Sequence, residues 1–203
     1  MNEDTTKAAP SAPRQIGADW VMVMDAEQVR RSVTRISHEI LERNRGAGKI
    51  AVVGIRTRGE YLAQRIVKQI YEIEKQAIPM GVVDITLYRD DIAHTAEQPL
   101  VRGTNLPFNL DKVAVILIDD VLYTGRTVRA ALDAIIDFGR PLAVQLAVLC
   151  DRGHRELPIR ADYVGKSLPT AKHEIVEVCL TERDGFDAVY VREGKKSGKP
   201  KSA

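Results

Sequence analysis

Val115-Ile116-Leu117-Ile118-Asp119-Asp120-Val121-Leu122-Tyr123-Thr124-Gly125-Arg126-Thr127 is the stretch on which the fold turns. The aliphatic run 113–118 reads as a strand buried on both faces, the pattern of an inner strand of a parallel sheet. It delivers two adjacent carboxylates, Asp119 and Asp120, to the edge of the sheet. A turn carrying Thr124, Gly125 and Thr127 follows. A helix then begins, marked by Val128, Leu132, Ile135 and Ile136 and ended by Gly139 and Pro141. The first N–H groups of a helix are unpaired and carry positive partial charge, which suits a phosphate. Gly125 permits close backbone approach, and the two threonine hydroxyls add donors. The carboxylates would repel a phosphate placed on them. They fit as acceptors for sugar hydroxyls, or as outer-sphere ligands of a hard cation. The pattern describes a site for a phosphorylated, hydroxyl-bearing sugar. A plain strand–turn–helix with acidic edge residues is the bland alternative, and Asp-Asp alone would not separate the two. No glycine–lysine triphosphate loop and no GxGxxG occur, which disfavours nucleoside triphosphates and dinucleotides.

Helix and strand signals alternate on both sides of this stretch. Asp25-Ala26-Glu27-Gln28 has the form of a capping box, and Val29, Val33, Ile36 and Ile40 follow at helical spacing until Gly46 and Gly48. The run 49–55 predicts a buried strand, and Arg56-Thr57-Arg58-Gly59 a turn. Leu62, Ile66, Ile70 and Ile73 mark a second helix. Strands are expected over 81–88 and 142–150, with weaker signals at 163–164, 175–180 and 188–191. Such alternation implies an α/β fold, a mostly parallel central sheet flanked by helices. Ligands in these sheets sit beyond the carboxyl ends of the strands. That rule points to the turn at 56–59, the loop starting at Arg89 and the turn at 119–127. The segment 89–111 has little periodicity, and a loop that long in a compact domain is usually functional or disordered. Residues 89–108 are expected to be a mobile lid that shields a reactive sugar from water.

Bulk composition narrows the class. The 203 residues suit one domain, with 44% apolar and 29% charged residues. A net charge of +2 is too small to argue for nucleic acid without local clustering. Cys150 and Cys179 each lie in an apolar run and read as buried reduced thiols. No membrane-length apolar run and no secretory leader pattern are present, so a cytoplasmic location is expected. Residues 1–17 and the Lys-rich residues 193–203 read as disordered extensions around a domain over 18–192.

The thirteen residues from Val115 to Thr127 resemble the signature with which type I phosphoribosyltransferases bind 5-phosphoribosyl 1-pyrophosphate (PRPP). Purine-salvage members commonly carry an aspartate where this chain has Tyr123. Adenine enzymes typically read Ala-Thr-Gly-Gly-Thr, and dedicated uracil-salvage enzymes tend to have proline after the first aspartate. Neither fits. Asp119-Asp120-Val121-Leu122-Tyr123-Thr124-Gly125-Arg126-Thr127 is similar to the PyrR family, bifunctional pyrimidine operon regulators and uracil phosphoribosyltransferases. Thr57-Arg58-Gly59 resembles the family's pyrophosphate loop. Asp84-Ile85-Thr86-Leu87-Tyr88-Arg89-Asp90-Asp91 resembles the entry to its mobile loop. Asp151-Arg152-Gly153-His154-Arg155-Glu156-Leu157-Pro158-Ile159-Arg160-Ala161-Asp162-Tyr163-Val164-Gly165-Lys166 resembles a long family-specific stretch. The likeness spans roughly residues 25–191.

The resemblance implies that uracil and PRPP react to give UMP and pyrophosphate, with Mg²⁺ held mainly by PRPP and no direct protein ligand assigned. It assigns the chemistry to Asp119, Asp120 and Arg58. PRPP or nucleotide binding falls to Thr57, Arg58, Gly59, Arg89 and the nine residues from Asp119 to Thr127. Arg152 is expected near the base or pyrophosphate, and Val176 is a weaker base-site candidate. No general base for uracil N1 is evident. Separately, Arg31, Thr34, Arg35 and His38 fall at i, i+3, i+4 and i+7 and share one helix face. His154, Arg155, Arg160, Lys166, Thr170 and Lys172 follow within twenty residues. Taken alone these are solvated charges. In the PyrR family these segments help to recognise a hairpin of the pyrimidine operon leader mRNA, modulated by UMP. The aromatic content of 5% leaves few stacking platforms. The resemblance also implies a homodimer or higher homo-oligomer. Two alternatives stay open: a pyrimidine-salvage enzyme without RNA binding, and a nucleotide-sensing regulator with little catalysis.

Overall fold

A computed structural model describes residue 17 and residues 19–85 and 103–194. Strand β1 (Trp20–Met24) leads into α1 (Ala26–Asn44), which opens with the predicted capping box. The Asp25 carboxylate accepts from the Gln28 N–H at 2.8 Å, and the Gln28 side chain accepts from the Asp25 N–H at 3.0 Å. Val29, Val33, Ile36 and Ile40 are buried along one stripe. Strand β2 (Ile50–Ile55) is buried throughout and feeds α2 (Arg58–Glu74), which leads to β3 (Met80–Val83). After a 3₁₀ turn at Leu110–Lys112 come β4 (Ala114–Leu122), α3 (Arg126–Phe138) and β5 (Ala143–Asp151). Strands β6 (Tyr163–Ser167) and β7 (Glu174–Cys179), the short α4 (Thr181–Asp184) and β8 (Ala188–Glu193) complete the described chain.

Five of these strands form a parallel sheet in the order β3-β2-β4-β5-β6. Helices cover both faces, and the period-two alternation of the strands sorts their side chains between two cores. Val52, Ile116, Ile118 and Leu149 pack with α1 and α2, whereas Val53, Val115, Leu117 and Val148 pack with α3. At about 25 cal/mol per Å² of apolar surface removed from water, this two-sided burial is the main drive for the fold. The expected α/β architecture is observed. No helix among the described residues is long and apolar enough to cross a membrane.

Three expectations need correction. The strand expected over 81–88 runs only from Met80 to Val83, and its outer edge is met by Asn105, which exchanges backbone hydrogen bonds of 2.8 Å with Val82. The strands at the C-terminal end leave the parallel sheet. They join β1 in an antiparallel sheet of order β1-β8-β7. The link from Cys179 to Ala188 is too short for the crossover that parallel pairing needs, so β8 folds back on β7. Strand β4 continues through Asp119 and Asp120 to Leu122, so the carboxylates lie within the strand and the turn starts later than expected. Residues 89–102 of the expected lid, Arg89 among them, lie outside the described residues.

Candidate active site

The sheet order places a topological switch between β2 and β4. The chain leaves β2 through α2 on one face toward β3, and leaves β4 through α3 on the other face toward β5. The two exits diverge and leave a crevice at the carboxyl ends, where open α/β sheets take their ligands. The turn at 56–59 and the turn at 123–127 are the two walls of that crevice. The Arg56–Thr57 peptide in the first is cis.

Gly59 explains how closely the walls approach. A Cβ there would lie 2.3 Å from the Ile118 carbonyl oxygen, so only glycine lets α2 start against the strand that carries Asp119. Thr57 is exposed at the start of α2. Arg58 is turned toward β7 and α4, with Glu177 at 3.3 Å and Asp184 at 3.6 Å, and its buried Nε has no hydrogen-bond partner.

On the other wall Asp119 is buried and Asp120 half-buried. Each carboxylate accepts the next backbone N–H at 2.9 Å, Asp120 to Asp119 and Val121 to Asp120. Burial pushes the Asp119 carboxyl well above the usual aspartate range, and the neighbouring Asp120 charge adds to the shift. Asp120 is also raised by burial, against the lowering influence of the Arg58 guanidinium. Side by side at the mouth of a crevice, the two groups can accept from sugar hydroxyls and, where a proton is held, donate to them. Cys150, next to them in β5 and 3.9 Å from the Met24 sulfur, is pushed up to about 12 by burial, so its thiol stays protonated. Among the described residues no three His, Cys, Asp or Glu side chains gather as a metal cage.

The loop that follows contributes mainly backbone. Val121 and Leu122 turn their side chains into the two cores, which leaves only their main chain to meet a ligand. Gly125 caps α3 with φ 93°, a left-handed geometry that suits glycine. The Arg126 N–H reaches the Thr124 hydroxyl at 3.3 Å, and the exposed Arg126 side chain pairs with Glu156 at 2.8 Å. Thr127 is half-buried in the first turn of α3. Tyr123 is partly exposed and lies under the Arg152 guanidinium, whose carbon is 4.2 Å from the ring centroid. Arg152 is buried and donates to the Thr170 hydroxyl at 3.2 Å and the Ala171 carbonyl at 3.1 Å. A cleft of about 430 Å³ between the ends of β5 and β6 is lined by Arg152, His154, Leu168 and Thr170. Val176 sits half-buried on β7, packed against the core under α1 and α2.

The residues read as RNA contacts divide into two groups. Arg31, Arg35 and His38 form an exposed ridge on α1. Arg31 pairs with Glu27 at 2.8 Å, and Arg35 pairs with Glu39 at 2.8 Å while reaching the Val164 and Gly165 carbonyls of β6. Thr34 leaves that ridge and donates its hydroxyl to Gln69 of α2 at 3.0 Å. Arg160 and Lys172 are exposed, and Lys166 donates to the Val23 carbonyl at 2.9 Å. His154, by contrast, pairs with the Thr170 carbonyl and meets the Tyr123 ring edge-on at 6.2 Å. Arg155 is bound to the backbone of the loop after β4. Arg155, read in the sequence among the solvated cations, is tied to that loop instead. A guanidinium beside a turn with carbonyls that can still accept is drawn to them rather than to solvent. Asp151, Glu177 and Asp184 carry no signal in the sequence, because nothing local tells a carboxylate that holds an arginine from a solvated one.

Comparison with known proteins agrees with this geometry. The phosphoribosyl transferase domain model matches residues 19–183. The bifunctional protein PyrR of Deinococcus radiodurans is 60% identical over 167 residues, covering 82% of this chain and 91% of that protein. Its counterpart in Deinococcus deserti is 62% identical over 174 residues, covering 86% and 95%. That of Clostridioides difficile is 58% identical over 171 residues, covering 84% and 97%. Among solved structures, the hypoxanthine phosphoribosyltransferase of Trypanosoma cruzi superposes with a TM-score of 0.65 over 86% of this chain and 97% of that one, at 16% identity, a likeness of fold. The sequence signature, the crevice between β2 and β4 and these relatives converge: the chain belongs to the PyrR family of phosphoribosyltransferases.

Proposed function

We propose that the crevice transfers the phosphoribosyl group of PRPP to uracil, forming UMP and pyrophosphate, and that the protein regulates pyrimidine genes through UMP-modulated binding to leader mRNA. The observation that carries the catalytic reading is the pair Asp119–Asp120, half sunk at the end of β4 and followed at once by the start of α3. In the reaction the bond from the ribose carbon to pyrophosphate breaks, a bond to uracil N1 forms, and the N1 proton is lost. Positive charge builds on the sugar carbon while negative charge builds on the leaving group. Asp119 and Asp120 accept the ribose hydroxyls and hold the ring. The N–H groups from Tyr123 to Thr127 and the Thr124 and Thr127 hydroxyls take the 5′-phosphate at the positive end of α3. Thr57, Arg58 and Gly59 receive the pyrophosphate, with Arg58 exchanging Glu177 and Asp184 for its oxygens. Arg152 and Tyr123 form the wall on the base side, with Val176 opposite. Arg89 belongs to the loop that would close over the substrates. Positioning of this kind supplies several kcal/mol of the barrier.

The donor set fits a hard cation brought in by the substrate: Asp119 and Asp120 offer oxygen ligands through water, and PRPP supplies the rest. When bound, Mg²⁺ offsets charge on the departing pyrophosphate. The regulatory reading draws support from the exposed ridge of Arg31, Arg35 and His38, beside β6 and its Lys166. Assembly into a homodimer or larger oligomer belongs to the same reading.

The test is direct. Purified protein with PRPP and Mg²⁺ should form UMP, with uracil preferred over hypoxanthine and orotate. Turnover of hypoxanthine without turnover of uracil would sink the assignment. UMP synthesis together with equal affinity for the leader hairpin and a scrambled RNA would reduce the protein to a salvage enzyme. Hairpin binding with no detectable UMP synthesis would make it a nucleotide sensor.

A further inference from the structure

Arg155 is a surface cation by sequence, yet its guanidinium points into the protein. Its Nε donates to the Ile159 carbonyl at 3.0 Å. Its Nη1 donates to the carbonyls of Leu122 at 3.3 Å, Tyr123 at 2.9 Å and Gly153 at 3.1 Å. Its Nη2 pairs with Asp151 at 2.5 Å. Only 22% of the side chain is exposed. Leu122 and Tyr123 are the residues through which β4 passes into the loop at the start of α3.

We propose that Arg155 is a positioning residue for the 5′-phosphate: it holds the Tyr123 carbonyl on the protein side of the loop, just past the Leu122 carbonyl that the Arg152 N–H already fixes at 3.1 Å, so that the N–H groups that follow face the ligand. The proposal rests on the phosphoribosyl reading of the crevice. A peptide unit points its carbonyl and its N–H in opposite directions, so anchoring the carbonyls aims the neighbouring donors. A freed Tyr123 carbonyl could rotate toward the crevice and repel an anion. The clamp continues along the chain, because the Glu156 and Leu157 N–H groups donate to the Thr124 carbonyl at 2.9 and 3.1 Å. Ile159 of the same segment lies against Gly125, where an added Cβ would meet its side chain at 3.3 Å.

Asp151 completes the device. Its other oxygen accepts the Gly153 N–H at 2.9 Å, which fixes the carboxylate that orients the guanidinium. Burial pushes the Asp151 carboxyl up, but the bonds from Arg155 and Gly153 outweigh it and hold the group below the usual aspartate range. A planar fork of five donors can bridge several carbonyls and a carboxylate together. An ammonium, with three donors at one point, cannot.

The experiment compares wild type, Arg155→Ala and Arg155→Lys by calorimetric titration with ribose 5-phosphate and by steady-state kinetics. The alanine variant should weaken ribose 5-phosphate binding by ~10-fold or more, in line with loss of several charge-assisted hydrogen bonds. Its KM for PRPP should rise in parallel, and by more than KM for uracil, since the clamped carbonyl precedes the phosphate donors directly while the Tyr123 ring stays under Arg152. Lysine keeps the charge but should recover little of the affinity. Should the alanine variant fail to fold, Asp151→Asn decides, with an expected loss of ~3-fold from a loosened guanidinium. Variants that bind ribose 5-phosphate as tightly as wild type overturn the role of Arg155 alone, whatever they do to RNA binding. A wild type that binds no ribose 5-phosphate overturns the phosphoribosyl reading, and this inference with it.

Discussion

The cations of α1 and those that follow β5 have the same chemistry and opposite situations. Arg31 leaves 73% of its side chain exposed and pairs with Glu27 on its own helix. Arg152 and Arg155 are drawn inside, one over the Tyr123 ring and the other across the carbonyls after β4. An exposed ion pair contributes ~0.2–1 kcal/mol, so Arg31 can trade its carboxylate for a phosphate at little cost. Removing Arg155 would take a donor from the carbonyls of Tyr123, Gly153 and Ile159, at about 1–3 kcal/mol. Arg35 is intermediate, half exposed yet tied to β6. A cation on a helix is therefore available to a polyanion outside, while one that closes a turn becomes part of the site it closes.

The carboxylates within β4 give the sharpest way to break this division. Asp120→Asn should lower UMP synthesis by ~100-fold or more, the scale of losing a preorganised group in the transition state, with the circular-dichroism spectrum unchanged. Near-normal turnover would remove Asp120 from the chemistry and leave the crevice as a binding site.

The ridge on α1 should behave in the opposite way. Arg31→Ala combined with Arg35→Ala should weaken binding of the leader hairpin by ~10-fold at low salt. The slope of log affinity against log salt should become shallower by about 0.7–0.9 for each phosphate that is no longer neutralised. UMP synthesis should stay within about 2-fold of wild type, because neither residue touches the crevice. Filter binding at two salt concentrations, run beside the enzyme assay, checks both halves. A parallel loss of both activities would mean that α1 shapes the site through Arg35 and β6.

Stability against pH separates the two carboxylates of β4 from those that pair with cations. Burial raises the Asp119 pKa, so the folded state holds a proton that the unfolded state has released. The stabilisation is present below the unfolded aspartate value and is lost as pH rises through the folded one. Asp119→Asn removes this dependence and should gain stability relative to wild type as pH rises through that window, while losing activity. Asp187 carries the reverse sign. Burial pushes it up, but Arg65 and Thr181 hold it below the usual range, so its contribution is present above the unfolded value and is lost as pH falls. Urea denaturation of Asp119→Asn at mildly acidic and neutral pH tests the sign. A variant curve parallel to wild type would show that Asp119 is not protonated by burial.

The smallest effect belongs to the start of α1. Asp25→Ala removes the acceptor for the Gln28 N–H and should cost about 1 kcal/mol. Thermal unfolding should register this as a drop of a few degrees with catalysis intact, which would show that α1 can be weakened without disturbing the crevice. A matching loss of UMP synthesis would join the two regions.

Patterns that depend on near neighbours are legible in the sequence alone. The alternation in β2, β4 and β5, the helical stripe of α1, the capping box at Asp25 and the stretch from Asp119 to Thr127 are set by periodicity and local chemistry. They suffice for the α/β class and for the crevice. Partners distant along the chain are not legible. Nothing near Arg58 announces Glu177 and Asp184, and nothing near Arg155 announces the carbonyls of Leu122 and Tyr123. The antiparallel return of β7, β8 and β1 is hidden for a similar reason: β1 pairs with β8 across almost the whole chain, and its exposed Val21 and Met22 spoil the alternation that marks a half-buried strand. Hydrophobic burial is recorded residue by residue and can be read in order. The partner of a charge is settled only when folding brings together groups that the chain keeps apart, because that choice depends on distance, burial and the donors already satisfied.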